Sequence, residues 1–372
     1  MELNAQQVRW QRIRRSGLID RFASPEECAE RLLGVQAQMM TAALLAIWAR
    51  TEGSTFVSLD GLLHRDKTLV RIWGQRHTLH LYPATLWPLI HSVRSDIPTW
   101  WEQSIIRNGG DLDGYKKAVA HAEKMLRANE TLGRSDLKDS DYAFSERHLS
   151  PWGGLFAELV HKGRACLVDR KNGEARYAHR ERWLPDLPFE TVTADKAGIE
   201  ICRRFFSTYG PATLQDFAYW EGCRVADARR YLETVRPHLT EVTVGGVQHF
   251  LAKDALSGDL DSAPTPGKWP VLLVYRFDPL VLAHKDKSWL VKPENYNKVW
   301  RPAGHIEGMI IDKGQGCGIW RFEKKSKLDL LVQYFGKPSG KVEKAVDRHG
   351  KKLAGFFQVP FGSVRPATLV VD

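Results

Sequence analysis

Three times along the chain a run of helical periodicity leads into a short two-stranded turn, and this recurrence limits the folds open to it. In the first pass, "NAQQVRWQRIRRSG" predicts a helix ending near Gly17. "SPEECAERLLG" predicts a second, with Ser24 as N-cap, Pro25 at the first helical position and Gly34 just past the end. "TAALLAIWARTEG" gives a third, with Thr41 as its N-cap, and "TLVRIWGQRHTLHLYP" reads as a hairpin turning near Gly74 and stopping at Pro83. The second pass has a helix around Gly114 to Asn129, another in "PWGGLFAELVHKG", and the hairpin "RACLVDRKNGEARYAH" with Asn172-Gly173 at its turn. The third runs through "DKAGIEICRRFFSTYG", "ATLQDFAYWEG" and "RVADARRYLETVRP" to "LTEVTVGGVQHFLAKD", turning at Gly245-Gly246.

Helices followed by a two-stranded wing are the winged-helix plan, a relative of helix-turn-helix DNA binders. The expected fold is therefore α+β, with three tandem winged-helix motifs over residues 1–100, 101–190 and 191–267. From 268 to 372 the texture changes to apolar strands and glycine turns ("WPVLLVYRFDPLVLAHKDKSWLV", "HIEGMIID", "GCGIWRFEKKSKLDLLVQYF"), closed by a helix in "SGKVEKAVDRHGKKLAGF". This predicts a C-terminal β-rich, barrel-like domain. Between Arg321 and Lys352 it carries ten Lys/Arg against four Asp/Glu, a phosphate-contacting surface or a solvated charged face.

The net charge of +10 favours an anionic partner such as nucleic acid, against the blander reading of a merely basic enzyme. The five cysteines (Cys28, Cys166, Cys202, Cys223, Cys317) are odd in number and show no C-x-x-C spacing, which predicts reduced thiols and no structural zinc. The amino terminus is polar, and no apolar run approaches the ~20 residues that span a bilayer. A cytoplasmic, nucleoid-associated protein without membrane contact is expected.

"LLGVQAQMM" holds the most unusual local pattern, two glutamines one residue apart between apolar helical runs. On a helix, Gln36 and Gln38 would point about 200° apart and could not converge. Gly34 argues that the helix has already ended. With Val35 to Gln38 extended, both amides project to one face while Val35 and Ala37 anchor the other. Such a pair offers two carbonyl acceptors and two NH2 donors with no titratable group, enough to hold a water and touch a polar ligand. The competing reading is a polar loop that caps backbone groups.

Together "RLLGVQAQMMTAALLAIWAR", "LVRIWGQRHTLHLYP" and "FDPLVLAHKDKSWLV" resemble, in the same order and over nearly the whole chain, the bacterial winged-helix DNA glycosylases of the AlkZ and YcaQ type. That family carries Gln-apolar-Gln in its AlkZ-like branch and Gln-apolar-Asp in its YcaQ-like branch, so Gln36-Ala37-Gln38 is AlkZ-like. The resemblance implies monofunctional excision of N7-alkylated purines from double-stranded DNA, extending to bulky adducts and interstrand crosslinks. It makes Gln36 and Gln38 the catalytic pair. It also implies a concave DNA-binding channel of three winged helices, no cofactor, and action as a monomer, in base excision repair or in self-resistance to a genotoxin.

Neutral amides suit that chemistry. An N7-alkylated purine is already cationic and leaves readily; what remains is to hold a water under C1′ and stabilise an oxocarbenium-like sugar by oriented dipoles. In the hairpin "GQRHTLHLYP", period-2 alternation predicts His77, Leu79 and Leu81 on one face and Arg76, Thr78, His80 and Tyr82 on the other, the polar row facing DNA. The family's wing carries Thr/Ser-Leu-His beside the lesion, matched here by Thr78-Leu79-His80; the other reading of His80 is a structural hydrogen bond. Alternation separates His77 from His80 and so argues against a zinc site. Asp278, Lys285 and Asp286 in "RFDPLVLAHKDKS" read as structural first and DNA-proximal second. No P-loop, G-x-G-x-x-G after a strand, clustered acidic motif for Mg2+ or lyase Lys/Asp pattern is present. The alternative function class is a non-enzymatic winged-helix transcriptional regulator, which would read sequence through a recognition helix and usually dimerise.

Overall fold

The protein, as a computed structural model, is described over residues 1–150, 154–253 and 263–370. Residues 151–153 of the expected helix in "PWGGLFAELVHKG" and Asp254 at the end of the third hairpin lie outside the described residues. The chain groups into two compact units, one of Met1–Leu59 with the chain from Ile201 onward, the other of Asp60–Glu200.

The first helix, Ala5–Ile13, opens with a capping box: Gln7 N donates to Asn4 Oδ1 at 2.9 Å, and Asn4 N to Gln7 Oε1 at 2.8 Å. A π turn, Arg14–Leu18, continues it and breaks at Gly17. The second helix, Pro25–Arg31, starts as its sequence predicts, with Glu27 N donating to Ser24 Oγ at 3.1 Å. Leu33 and Gly34, at φ of 53° and 90°, turn the chain out of it into a two-residue strand β1, Val35–Gln36. The third helix, Met40–Trp48, is capped at Met39 and not at Thr41: Met39 O already accepts from Ala42 N and Ala43 N, so Thr41 lies inside the first turn. A helix Phe56–His64 that the repeat did not predict comes next.

In the unit of Asp60–Glu200, β2 (Leu69–Trp73) and β3 (Leu79–Pro83) form the first hairpin, and β4 (Ala165–Lys171) and β5 (Glu174–His179) the second. The two do not stand apart as separate wings. Arg71 of β2 pairs with Leu167 of β4, so these strands run β3-β2-β4-β5 in one antiparallel sheet. Tyr177 locks the seam, stacked on Phe156 at 4.5 Å and on Trp73 at 6.5 Å. Helices Leu112–Ala128 and Gly154–His161 pack on one another and on this sheet, the former burying Ala118, Val119, Ala122 and Leu126 at helical spacing.

The helix Ala194–Tyr209 carries the chain from one unit to the other, and in the first unit helices Leu214–Glu221 and Val225–Val235 precede the hairpin of β6 (Leu239–Val244) and β7 (Val247–Ala252), turning at Gly245-Gly246. The amino terminus adds a third, parallel rung through Leu3 N to Thr243 O at 2.8 Å, and Leu3 is buried with Val8, Val242 and Leu251. The C-terminal strands are β8 (Leu272–Val274), β9 (Gly308–Asp312), β10 (Gln315–Lys324), β11 (Leu328–Tyr334) and β12 (Phe361–Pro366). They form an open sheet in the order β12-β11-β10-β9-β8 and not the expected barrel. The reason is topological. The helix Gly340–Phe356 crosses over from β11 and returns the chain as β12, parallel to β11, so the short β8 and β12 end as the two edges. One face of that helix (Val342, Val346, Leu353, Phe356) is buried.

Candidate functional site

The segment that carries the two glutamines is fixed on both sides. Gly34 N donates to Ala29 O at 2.8 Å, closing the helix Pro25–Arg31 with a left-handed turn that a Cβ at Gly34 would oppose. The last carbonyls of that helix are taken from outside it: Thr208 Oγ1 donates to Arg31 O at 2.5 Å, and Tyr209 Oη to Leu32 O at 2.7 Å. Val35 and Ala37 are 0% exposed, Gln36 is 8% exposed, and Gln38 is exposed. Three of the four residues are therefore buried and Gln38 alone is exposed, so burial does not alternate along the segment; strand geometry covers Val35–Gln36 and the chain bends at Gln38.

Downstream, the helix Met40–Trp48 is clamped at its C-terminal end by Arg50, whose guanidinium is sealed from solvent. Arg50 donates to Ala46 O at 2.9 Å, to Ser16 O at 2.6 Å, and to both carboxylate oxygens of Asp278 at 2.7 and 2.8 Å. Asp278, singled out in "RFDPLVLAHKDKS", thus has a structural partner, and it also caps Leu280 N at 2.9 Å. Lys285 and Asp286 are exposed; Lys285 N donates to Asp216 Oδ1, and Asp286 accepts from Ser288. Sequence reasoning missed Arg50, Thr208 and Tyr209. Their work depends on partners far along the chain, and only the Arg and Asp of the buried pair were polar residues standing among apolar ones.

Arg76, Thr78, His80 and Tyr82 lie in the other unit, and the hairpin does not present them as one exposed row. Residues Gln75–His77 form a 3-10 turn in which Arg76 and His77 take left-handed φ of 55° and 53°, so alternation begins only after the turn. Arg76 is half-buried in the turn itself and His77 is exposed. Thr78 Oγ1 donates to Gln75 O at 3.2 Å. Tyr82 is 0% exposed, and its hydroxyl donates to Gln75 Oε1. A Cβ on Gly74 would land on that hydroxyl, which explains the glycine. His80 is buried, with Nδ1 at 2.8 Å from Thr78 O; facing a carbonyl, Nδ1 carries the proton and Nε2 is the acceptor. Burial first, and then the Arg76 guanidinium, hold its pKa well below the ordinary imidazole value, so the ring is neutral.

Among the described residues no group of three or more His, Cys, Asp or Glu is placed to hold a metal ion. The cysteines are free; burial raises the Cys28 and Cys166 thiols to about 12, far from a nucleophile's range. No described helix is long and apolar enough to cross a membrane. Within the basic stretch, Arg321 is used internally on Glu307 at 2.7 and 2.9 Å, and Lys341 donates to the carbonyls of Gly267 and Trp269.

The chain is α+β, its helices lead into hairpins, and it carries a net charge of +10 with a neutral Gln-Ala-Gln segment. Residues 29–356 match the family described as DNA glycosylase AlkZ-like. An interstrand DNA cross-link repair glycosylase of Streptomyces sahachiroi is 25% identical over 356 residues, covering 91% of this chain and 92% of that protein. The solved structure of the Streptomyces sahachiroi DNA glycosylase AlkZ superposes with a TM-score of 0.82 at 22% identity, over 99% of this chain and 100% of that one. The chain belongs to the AlkZ-like DNA glycosylase family.

Proposed function

We propose that the protein hydrolyses the N-glycosidic bond of N7-alkylated purines in double-stranded DNA, as a monofunctional, monomeric glycosylase that meets the duplex through its helix–hairpin passes, the first two joined by a shared sheet. The observation that supports this reading is the Val35–Gln38 segment, which carries two neutral amides on a backbone held on both sides. The amide carbonyls accept from a water and orient it toward C1′ as the cationic base departs. Water supplies the new C1′–O bond, the glycosidic electron pair leaves with the base and neutralises it, and the water's proton is released to solvent. No strong general acid is required because alkylation has already supplied the positive charge. A crosslink anchored at N7 has the same charged purine, which extends the reading to the class of lesion named for the Streptomyces relative. Such a chain serves base excision repair or self-resistance to a genotoxin.

In this reading the hairpin meets the DNA, with Arg76 on a phosphate from the turn and Thr78 and His80 holding the strand that follows it. Tyr82 acts one step back, by fixing Gln75. The test is release of N7-methylguanine from duplex DNA in EDTA, leaving an abasic site whose strand is cut only by later alkali. Strand cleavage before alkali, or strict Mg2+ dependence, overturns the monofunctional reading. A tight sequence-specific footprint on undamaged DNA would support a regulator instead.

A further inference from the structure

In the unit that carries the glutamines lies an open cleft of about 640 Å3, within the range of ~300–1,000 Å3 typical of ligand sites. The helix Gly340–Phe356 lends it Ala345, Arg348, His349, Lys352 and Phe356, spaced as one helical face. The turn after Trp48 adds the hydroxyls of Thr51, Ser54 and Thr55. Trp48 ties these parts together, its ring 5.4 Å from His349 and 5.3 Å from Phe356.

Two features say what such a cleft takes. Its charged lining is cationic throughout (Arg21, Arg348, Lys352), with no Asp or Glu among the lining residues. Arg348 and Lys352 are exposed, and no carboxylate pairs with either among the described residues; Arg21 meets only the exposed Glu52, at 3.5 Å. The rest of the lining combines apolar side chains and the Trp48 ring with the polar residues Thr51, Ser54, Thr55 and His349. Gly53 and Gly355 line it, and a Cβ at either would meet nothing within 4 Å. An aromatic wall beside unneutralised cations matches a ligand that joins a flat ring to an anion.

We infer that this cleft holds one unstacked nucleotide of a DNA strand, its base against the half-buried ring of Trp48, which Phe356 backs from the buried side, and its phosphate on Arg348 and Lys352. The inference rests on the reading of DNA as substrate. In an intact duplex each base is covered by its neighbours, so only an unpaired or splayed nucleotide can offer a base face to an aromatic wall. Such nucleotides flank a helix-distorting lesion or a strand end, and a second foothold there would hold the strand while excision proceeds elsewhere.

The test uses the full-length protein and a single-stranded tetranucleotide carrying one 5-iodouracil. Photocrosslinks mapped by mass spectrometry are expected on Trp48 or His349. Arg348→Glu, Lys352→Glu should weaken tetranucleotide binding about tenfold, as for the loss of two phosphate contacts. Gly355→Leu fills the cleft from an exposed helix position and should abolish the crosslink without unfolding the protein. An abasic tetranucleotide should bind about tenfold more weakly than the base-bearing one, because stacking is lost. Crosslinks that map only elsewhere overturn the inference, and so does equal affinity for the abasic strand, which would leave a phosphate-only surface. The two readings fail separately. Excision of N7-methylguanine with no crosslink in the cleft removes this site alone, whereas a crosslinked cleft without excision removes the glycosylase assignment.

Discussion

Changing Asp278 to Asn isolates one charge at the point where the helix after the glutamine pair is anchored. Arg50 and Asp278 are both 0% exposed, so neither has water to fall back on. The carboxylate takes two of the four hydrogen bonds that the guanidinium makes, the others going to Ser16 O and Ala46 O. Asparagine keeps the volume and the Oδ1 that caps Leu280 N, so the helix Pro279–Leu282 retains its start. What is lost is electrostatic, a buried cation without its counter-ion, for which ~3–5 kcal/mol is the expected cost. At ~2–4 °C per kcal/mol for a unit of this general size, the midpoint should fall by about 6–20 °C. Differential scanning calorimetry reads this directly, and urea titration at fixed temperature gives the free energy. A paired control, Arg50→Met with Asp278→Leu, replaces both charges with apolar groups and should recover much of the loss, since such exchanges are often neutral or stabilising. A fall within ~1 kcal/mol for Asp278→Asn, the scale of a surface pair, would refute the argument that this ion pair anchors the helix.

Gln36→Ala and Gln38→Ala should each lower single-turnover excision by roughly 10- to 1,000-fold, the range for removing one preorganised dipole. The double variant should be less impaired than the product of the two, because both amides hold one water; full activity in the double variant would return the segment to a polar loop. Gly74→Ala should displace the Tyr82 hydroxyl from Gln75, costing about 1–3 kcal/mol by overpacking and slowing excision, and Tyr82→Phe should relieve part of the crowding. The acid side of the stability profile should be set by buried histidines. Burial lowers the pKa of His80 and His284 well below the usual 6.5 and that of His349 to about 3, so each contributes stability that is present above 6.5 and lost as pH falls below it. The slope should reach about 1.4 kcal/mol per pH unit for each such histidine, and urea midpoints unchanged between pH 7 and pH 5 would contradict it.

What the sequence disclosed is local. Ser24 with Pro25 marks a helix start because a side-chain oxygen and a ring without an N–H satisfy the first turn wherever the helix later packs. Asn172-Gly173 and Gly245-Gly246 mark hairpins because their backbone geometry excludes other residues. Thr41 failed as a cap because the first turn closes two residues earlier, on the carbonyl of Met39, whose side chain offers no sign of it. Pairing across sequence distance left no local trace. Arg71 meets Leu167 and turns two expected wings into one sheet, while β12, a half-exposed edge with a glycine and a proline, lacks the alternation that identifies a strand. The glutamine pair was legible for the opposite reason. Two identical polar residues at a spacing useless on a helix, just past a helix-ending glycine, pointed to an extended segment or a polar loop, and the chain is extended over Val35–Gln36 and bends at Gln38.

The proposed chemistry would give the heavily buried frame of that segment a purpose. Amides activate water only through orientation, since they carry no charge to gather it and no proton to exchange at neutral pH. Orientation in turn requires a backbone that does not relax when the lesion enters. Here the preceding helix is tied at Arg31 O and Leu32 O by Thr208 and Tyr209, Val35 and Ala37 are sealed, and the following helix ends on Arg50 and Asp278. A charged catalyst could tolerate a looser mount, because Coulombic attraction falls slowly with distance. A neutral pair cannot, so the residues that fix its backbone carry as much of the proposed chemistry as the amides themselves.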